Sequence, residues 1–170
     1  DELEKVTGNK IDAARANLNT LGLNHLTWHR GFTLDGEEMW QIIFPFFVES
    51  LKKETEPEWD LKTIESLGMI PNYYLQYFYY TAHKFEEQKK WPPSRAEAVM
   101  EIEKDLLRDY ADPNLTEPPA ELMKRGGAYY STLATQLINA HYNDLGQVHV
   151  VNIRNDGAVK EWPADWVLEL

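Results

Sequence analysis

The spacing of apolar residues changes several times along this 170-residue chain, and each change predicts an element. Residues 4–19 read as a helix. The stretch GLNHLTWHRGFTL (22–34) reads as a strand. It runs to a turn at Asp35-Gly36, because both positions tolerate positive φ between apolar runs. A short return strand or helix start follows, and then a helix over 40–53. In DLKTIESLG (60–68), Asp60 can cap a short helix and Gly68 can end it in the left-handed conformation. Pro71 then blocks easy continuation. YYLQYFYYTAHKFEEQKK (73–90) predicts a helix with a very aromatic first half. SRAEAVMEIEKDLLRDY (94–110) is the clearest helix. Ser94 and Glu97 fit a capping box, and Val99, Ile102, Leu106 and Tyr110 follow at helical spacing. PPAELMKRGG (118–127) predicts a loop with at most one helical turn. AYYSTLATQLINAHYND (128–144) predicts a helix ending near Asp144 and Gly146. VHVVNIRNDGAV (148–159), with a turn at Asp156-Gly157, and WVLEL (166–170) predict strands. The sum is an α+β (mixed α/β) domain in which helices outnumber strands.

Composition narrows the class. With 43% hydrophobic and 26% charged residues the chain is globular rather than disordered. A formal net charge of −11 argues against nucleic acid or an anionic membrane as main partner, while leaving room for a small anion held by a few local cations. There is no cysteine, hence no disulfide and no thiolate ligand within the chain. No apolar run is long enough to span a bilayer as a helix. The cytoplasm is the default compartment. The start at DELEKVTGNK and the stop at WVLEL suggest a piece of a longer protein.

Five places could carry chemistry. His25 and His29 stand four apart, which suits a metal pair only on a helix. On a strand they lie about 13 Å apart, at roughly 3.3 Å per residue, and no single ion bridges them. An embedded histidine is more often a satisfied core or loop residue than a ligand. Tyr73 and Tyr74 open an aromatic run whose simplest explanation is burial, although a helix N-terminus would favour a tyrosinate. Arg95 sits at a helix start, where a cation opposes the dipole. It serves either an anionic partner or an ion pair with Glu97 or Glu101. Gly126 and Gly127 before a helix suit an anion, yet match no phosphate-loop pattern; a tight loop entry explains them as well. The polar residues of VNIRNDG could face a cleft.

Taken in order, GLNHLTW, LGMIPNYYLQYFYY, SRAEAVMEIEKDLLRDYADPNL, KRGGAYYSTLATQLINAHYND and VNIRNDGAV resemble the C-terminal part of glycoside hydrolase family 4. The likeness is greatest to its 6-phospho-β-glucosidase branch and covers nearly the whole chain. The resemblance implies a helix-rich C-terminal domain like that of lactate and malate dehydrogenase-type enzymes. A Rossmann-type N-terminal domain would be missing from this sequence, and residues 1–170 would form one catalytic and substrate-binding domain. Most glycosidases work with two carboxylates, whereas this family uses NAD. The resemblance implies hydride removal from C3 of the sugar, a ketone polarised by a divalent metal (manganese as a rule), C2 proton abstraction by a tyrosine, elimination of the glycosidic oxygen, water addition and return of the hydride. It assigns His25 to the metal, Tyr74 to the proton and Arg95 to the sugar phosphate. It leaves His29 structural and the NAD-binding residues outside this chain. The implied partners are a phosphorylated disaccharide or β-glucoside and the dinucleotide-binding domain, in a homo-oligomer. On its own the chain is expected to be inactive. The rivals are an α-glucosidase, α-galactosidase or α-galacturonidase branch, and a non-catalytic helical interaction module.

Overall fold

The computed structural model describes residues 2–11, 15–55, 58–126 and 130–170. They fall into two compact units: residues up to Tyr80 together with Val148–Leu170, and Thr81–Gln147.

The first unit is built on an antiparallel sheet. Helix α1 (Glu2–Thr7) precedes strands β1 (Ala16–Leu23), β2 (Leu26–Leu34) and β3 (Glu37–Glu38). Strands β4 (Ile70–Pro71), β5 (Asn152–Arg154) and β6 (Val167–Glu169) complete it. The order is β3-β2-β1-β6-β5, with β4 pairing β2 from outside that path. The C-terminal strand therefore lies beside the hairpin made by the N-terminal part of the chain.

Two expectations fail here for related reasons. Residues 4–19 are not one helix: α1 stops at Thr7, and Ala16–Asn19 already belong to β1. Gly8 takes a φ of 68°, which ends the helix, and the sparsely apolar Asn-Leu-Asn-Thr stretch gains its order from pairing with β2. Nor is GLNHLTWHRGFTL one strand. It folds back at Asn24-His25, so that Leu23 pairs with Leu26, Leu21 with Trp28 and Thr20 with His29. His25 carries the positive φ, 63°. Among residues with a side chain, His, Asn and Asp accept that region most readily.

Gly22 makes this close fold possible. A Cβ built there would lie 2.1 Å from the Leu26 carbonyl oxygen and 2.7 Å from the Thr27 Cα. Both obstacles are backbone and cannot swing away.

Helix α2 (Trp40–Lys53) forms over the predicted span and lies against the sheet. Glu38 accepts hydrogen bonds from the Phe32 and Trp40 backbone N–H groups, tying the helix start to β2. Phe32, Leu34, Met39, Trp40 and Ile43 form one core cluster. Val48, Leu51, Trp59, Ile64 and Leu75 form a second. Phe44 packs against both. Helix α3 (Leu61–Leu67) keeps its predicted ends: Asp60 accepts from the Thr63 N–H, and Gly68 is left-handed at φ 62°. At the other end of the unit Asn155, 1% exposed, donates to the carbonyls of Val159, Trp162 and Pro163 and accepts from the Val159 N–H. The polar element NIRNDG thus orders its own connection to β6 through Asn155.

The predicted aromatic helix is broken. Tyr73–Leu75 form a 3-10 turn, Gln76–Tyr79 a single α-turn (α4), and Tyr80 leaves helical geometry before α5 (Thr81–Gln88). This weakens the dipole argument for Tyr74, since the macrodipole needs a run of aligned peptides.

The second unit holds α5, α6 (Arg95–Tyr110), α7 (Glu121–Arg125) and α8 (Tyr130–Tyr142). The capping box is formed in both directions: Ser94 Oγ accepts from the Glu97 N–H, and Glu97 accepts from the Ser94 N–H. Its carboxyl is held below the ordinary range by the Ser94 backbone and hydroxyl hydrogen bonds. Gly127 of the paired glycines lies outside the described residues.

Gly22→Ala should destabilise the protein by about 1–3 kcal/mol or more, the cost of forcing atoms into packed backbone. The urea unfolding midpoint checks this; an unchanged midpoint would mean that the hairpin opens freely at Gly22.

Candidate functional site

The expected ligand and the expected base meet at one end of the hairpin. Asn24-His25 forms the turn between β1 and β2. β4 runs along the outer edge of β2, pairing Pro71 with Trp28 and Ile70 with His29. Asn72 then donates its N–H to the Thr27 carbonyl, and its side chain accepts the Tyr74 N–H. This delivers Tyr74 beside the turn. The His25 and Tyr74 ring centroids are 5.3 Å apart, inclined at 36°.

Both side chains are accessible. His25 is exposed and Tyr74 is 49% exposed. Among the described residues, neither the imidazole nitrogens of His25 nor the Tyr74 hydroxyl has a hydrogen-bond partner. A polar group of a stable core would be satisfied; these two are free to meet something else. A non-glycine residue at positive φ also costs on the order of 1 kcal/mol, a strain that clusters at functional positions.

The aromatic run divides between packing and site. Tyr79 and Tyr80 join Trp59, with ring centroids 6.3 and 5.5 Å away, and Trp28 stands 6.0 Å from Trp59. Tyr73, Tyr74 and Tyr77 instead surround one another at 6.0–6.1 Å, next to His25. Burial explains Leu75 and Gln76 in the middle of the run and Tyr80 against the Trp59 cluster, whereas Tyr73, Tyr74, Phe78 and Tyr79 are all exposed.

His29 belongs to the sheet. Its Nδ1 lies 3.0 Å from the Thr20 hydroxyl across the hairpin. Burial holds its pKa below the ordinary 6.5, partly offset by the nearby Glu169 charge.

Arg95 belongs to the other unit. It opens α6 and donates from Nη2 to the Lys124 carbonyl at 3.0 Å. Glu97 is committed to the capping box, and among the described residues Arg95 forms no ion pair. The pairing with Glu97 or Glu101 is not made; Lys104 takes Glu101 at 2.5 Å.

A divalent ion fits His25 as one ligand and no more. The imidazole is exposed and unpartnered, as a ligand must be. Among the described residues, however, no group of three or more His, Asp or Glu side chains converges on a metal position. A groove of about 760 Å³ opens within the same unit, walled chiefly by Leu21, Leu23, Leu26, Trp28, Phe78 and Trp162. Asn19, Thr20 and Arg30 are the polar members of that wall. Among the described residues no helix is long and apolar enough to cross a membrane.

A family profile described as "Family 4 glycosyl hydrolase C-terminal domain" matches residues 20–170. The chain belongs to this family. A probable 6-phospho-beta-glucosidase of Bacillus subtilis is 34% identical over 94% of the chain and 38% of the relative. The 6-phospho-beta glucosidase of Thermotoga maritima, solved with manganese, NAD+ and glucose-6-phosphate, superposes with a TM-score of 0.79 at 31% identity, over 99% of this chain and 39% of the other. A 6-phospho-alpha-glucosidase from gut microorganisms, solved with NAD and glucose-6-phosphate, shares the fold at TM-score 0.71 but only 17% identity, over 98% of this chain and 40% of the other. The chain thus spans about two fifths of the length of these relatives.

Family membership confirms the mixed helix-and-sheet fold expected of the C-terminal domain. Sequence reasoning missed Asn72, which caps the Tyr74 turn and ties it to β2, and Glu169, which accepts the His25 backbone N–H at 2.6 Å. The Pro-Asn spacing was a usable signal for Asn72. Nothing local announces Glu169.

The lowered His29 pKa gives stability a definite pH dependence. Its folded value lies below the unfolded one, so its contribution is fully present above about pH 6.5. That contribution falls as pH drops through 6.5 towards the folded value, because the unfolded chain then binds the extra proton. The urea midpoint should be lower at about pH 5 than at about pH 8, and His29→Gln should remove part of that difference. An unchanged slope in His29→Gln would show that the ring's burial is not coupled to folding.

Proposed function

We propose that this chain is the C-terminal part of an NAD- and divalent-metal-dependent glycosidase that hydrolyses 6-phospho-β-glucosides by redox-assisted elimination and addition. The observation that carries the reading is the meeting of His25 and Tyr74, 5.3 Å apart between ring centroids, both accessible and unpartnered among the described residues. The identity levels support the β branch, since the α-acting neighbour shares only the fold.

His25 gives one imidazole ligand to the divalent ion. The remaining ligands and the dinucleotide fold come from the N-terminal domain of the longer protein. When bound, NAD+ supplies a hydride acceptor for C3 of the sugar, and the ion supplies the charge that makes the neighbouring C2–H acidic. The Tyr74 phenolic oxygen takes the C2 proton. Loss of that proton expels the glycosidic oxygen by elimination. Arg95, at the start of α6, holds the sugar 6-phosphate, which accounts for a cation placed against the helix dipole. The metal is manganese, as in the Thermotoga relative. The subunits assemble as a homo-oligomer in the cytoplasm.

The full-length protein tests these roles. Tyr74→Phe should lower turnover about 10²–10⁴-fold, the span of a lost general base. Exchange of the C2 proton with deuterated solvent should collapse, while reduction of bound NAD+ by the sugar persists. Tyr73→Phe should leave both nearly intact. Full C2 exchange in Tyr74→Phe would contradict the assignment, and its loss in Tyr73→Phe would move the base by one residue.

A further inference from the structure

Glu169 lies on the last strand, far along the chain from the hairpin turn, yet it reaches that turn directly. Backbone pairing sets Glu169 opposite Gly22, and Gly22 opposite Thr27. Side chains of directly paired residues share a sheet face, so Glu169 and Thr27 point to the same side. Gly22 stands between them with no side chain, and the Leu26-Thr27 backbone closes over it; the Glu169 carboxylate reaches the turn itself. Its Oε2 accepts the His25 backbone N–H at 2.6 Å, a charge-assisted length. The same charge reaches the His29 ring on that face.

The consequence concerns direction. His25 sits at φ 63°, in a region a side-chain-bearing residue holds only when its surroundings enforce it. A hydrogen bond from its own N–H fixes the peptide plane before its Cα. That plane sets the Cα–Cβ bond, and with it the placement of the imidazole against Tyr74. We propose that Glu169 is a positioning residue: it clamps the Asn24-His25 turn from β6 and so aims the His25 imidazole at the metal. This rests on the reading of His25 as a metal ligand. Partners that orient a metal ligand are worth about 10–100-fold in metal affinity.

The test is Mn2+ binding to the full-length protein, read from the electron paramagnetic resonance signal of the unbound ion, in the wild type and in His25→Ala, Glu169→Gln and Glu169→Asp. Thermal unfolding establishes that each variant is folded. Glutamine keeps the reach and an acceptor oxygen while losing the charge; aspartate keeps the charge and loses the reach. Positioning predicts that Glu169→Asp weakens Mn2+ binding about 10–100-fold, and that Glu169→Gln stays within roughly threefold of wild type, a neutral acceptor being the weaker one. Retention in both variants overturns the proposal. Loss in both, or loss in Gln alone, assigns the effect to the charge and overturns it as well. An unchanged affinity in His25→Ala instead removes the ligand reading itself, and the positioning role with it.

Discussion

The site hangs on one tight backbone turn. Two residues, Asn24 and His25, reverse the chain between β1 and β2, and a side chain at Gly22 would collide with the backbone of the returning strand. Everything chemical in the first unit is placed from there. The returning strand offers its outer edge to Ile70-Pro71, Asn72 fastens the next turn to Thr27, and Tyr74 arrives beside His25. The arrangement is rigid where it must be. The carrier elements are paired strands backed by the Val48, Leu51, Trp59, Ile64 and Leu75 cluster, while the His25 and Tyr74 rings stay accessible. Precision of this kind favours regular elements over loops as carriers.

Charge follows the same division. These 170 residues are strongly acidic, with a formal net charge of −11, so an anionic ligand on this chain would need local cations. Arg95 is suited to that: its planar guanidinium forms no ion pair among the described residues and makes one bond, to a backbone carbonyl.

Legibility in the sequence tracked how local each cause was. Helix α2, the Asp60 and Gly68 ends of α3, and the Ser94–Glu97 capping box depend on residues a few positions apart, and all were readable. The Asn24-His25 turn was not. The turn itself holds neither Gly nor Pro, Gly22 alone stands near it, and the apolar residues on either side continue one strand-like run through it. The long N-terminal helix failed similarly, because the order of Ala16–Asn19 comes from a partner strand rather than from its own composition. The aromatic segment was half legible: its composition predicted burial, yet Tyr73, Tyr74, Phe78 and Tyr79 are exposed, and only the fold shows that Tyr79 and Tyr80 meet Trp59 while Tyr74 meets His25. At the site, the family resemblance singled out His25 and Tyr74, and the structure sets them side by side without having been asked to. Glu169 was out of reach, since nothing near it in sequence hints at a contact with a turn 144 residues away.

The central claim is that one turn presents a metal-binding imidazole to a proton-abstracting tyrosine. A crystal structure of the full-length protein with manganese, NAD+ and glucose 6-phosphate, with the metal located by its anomalous signal, addresses it directly. The account predicts manganese at bonding distance from a His25 ring nitrogen, about 2–2.3 Å, with the sugar C2 roughly 3–3.5 Å from the Tyr74 hydroxyl oxygen. Manganese bound without His25, or a sugar whose C2 faces away from Tyr74, would contradict it.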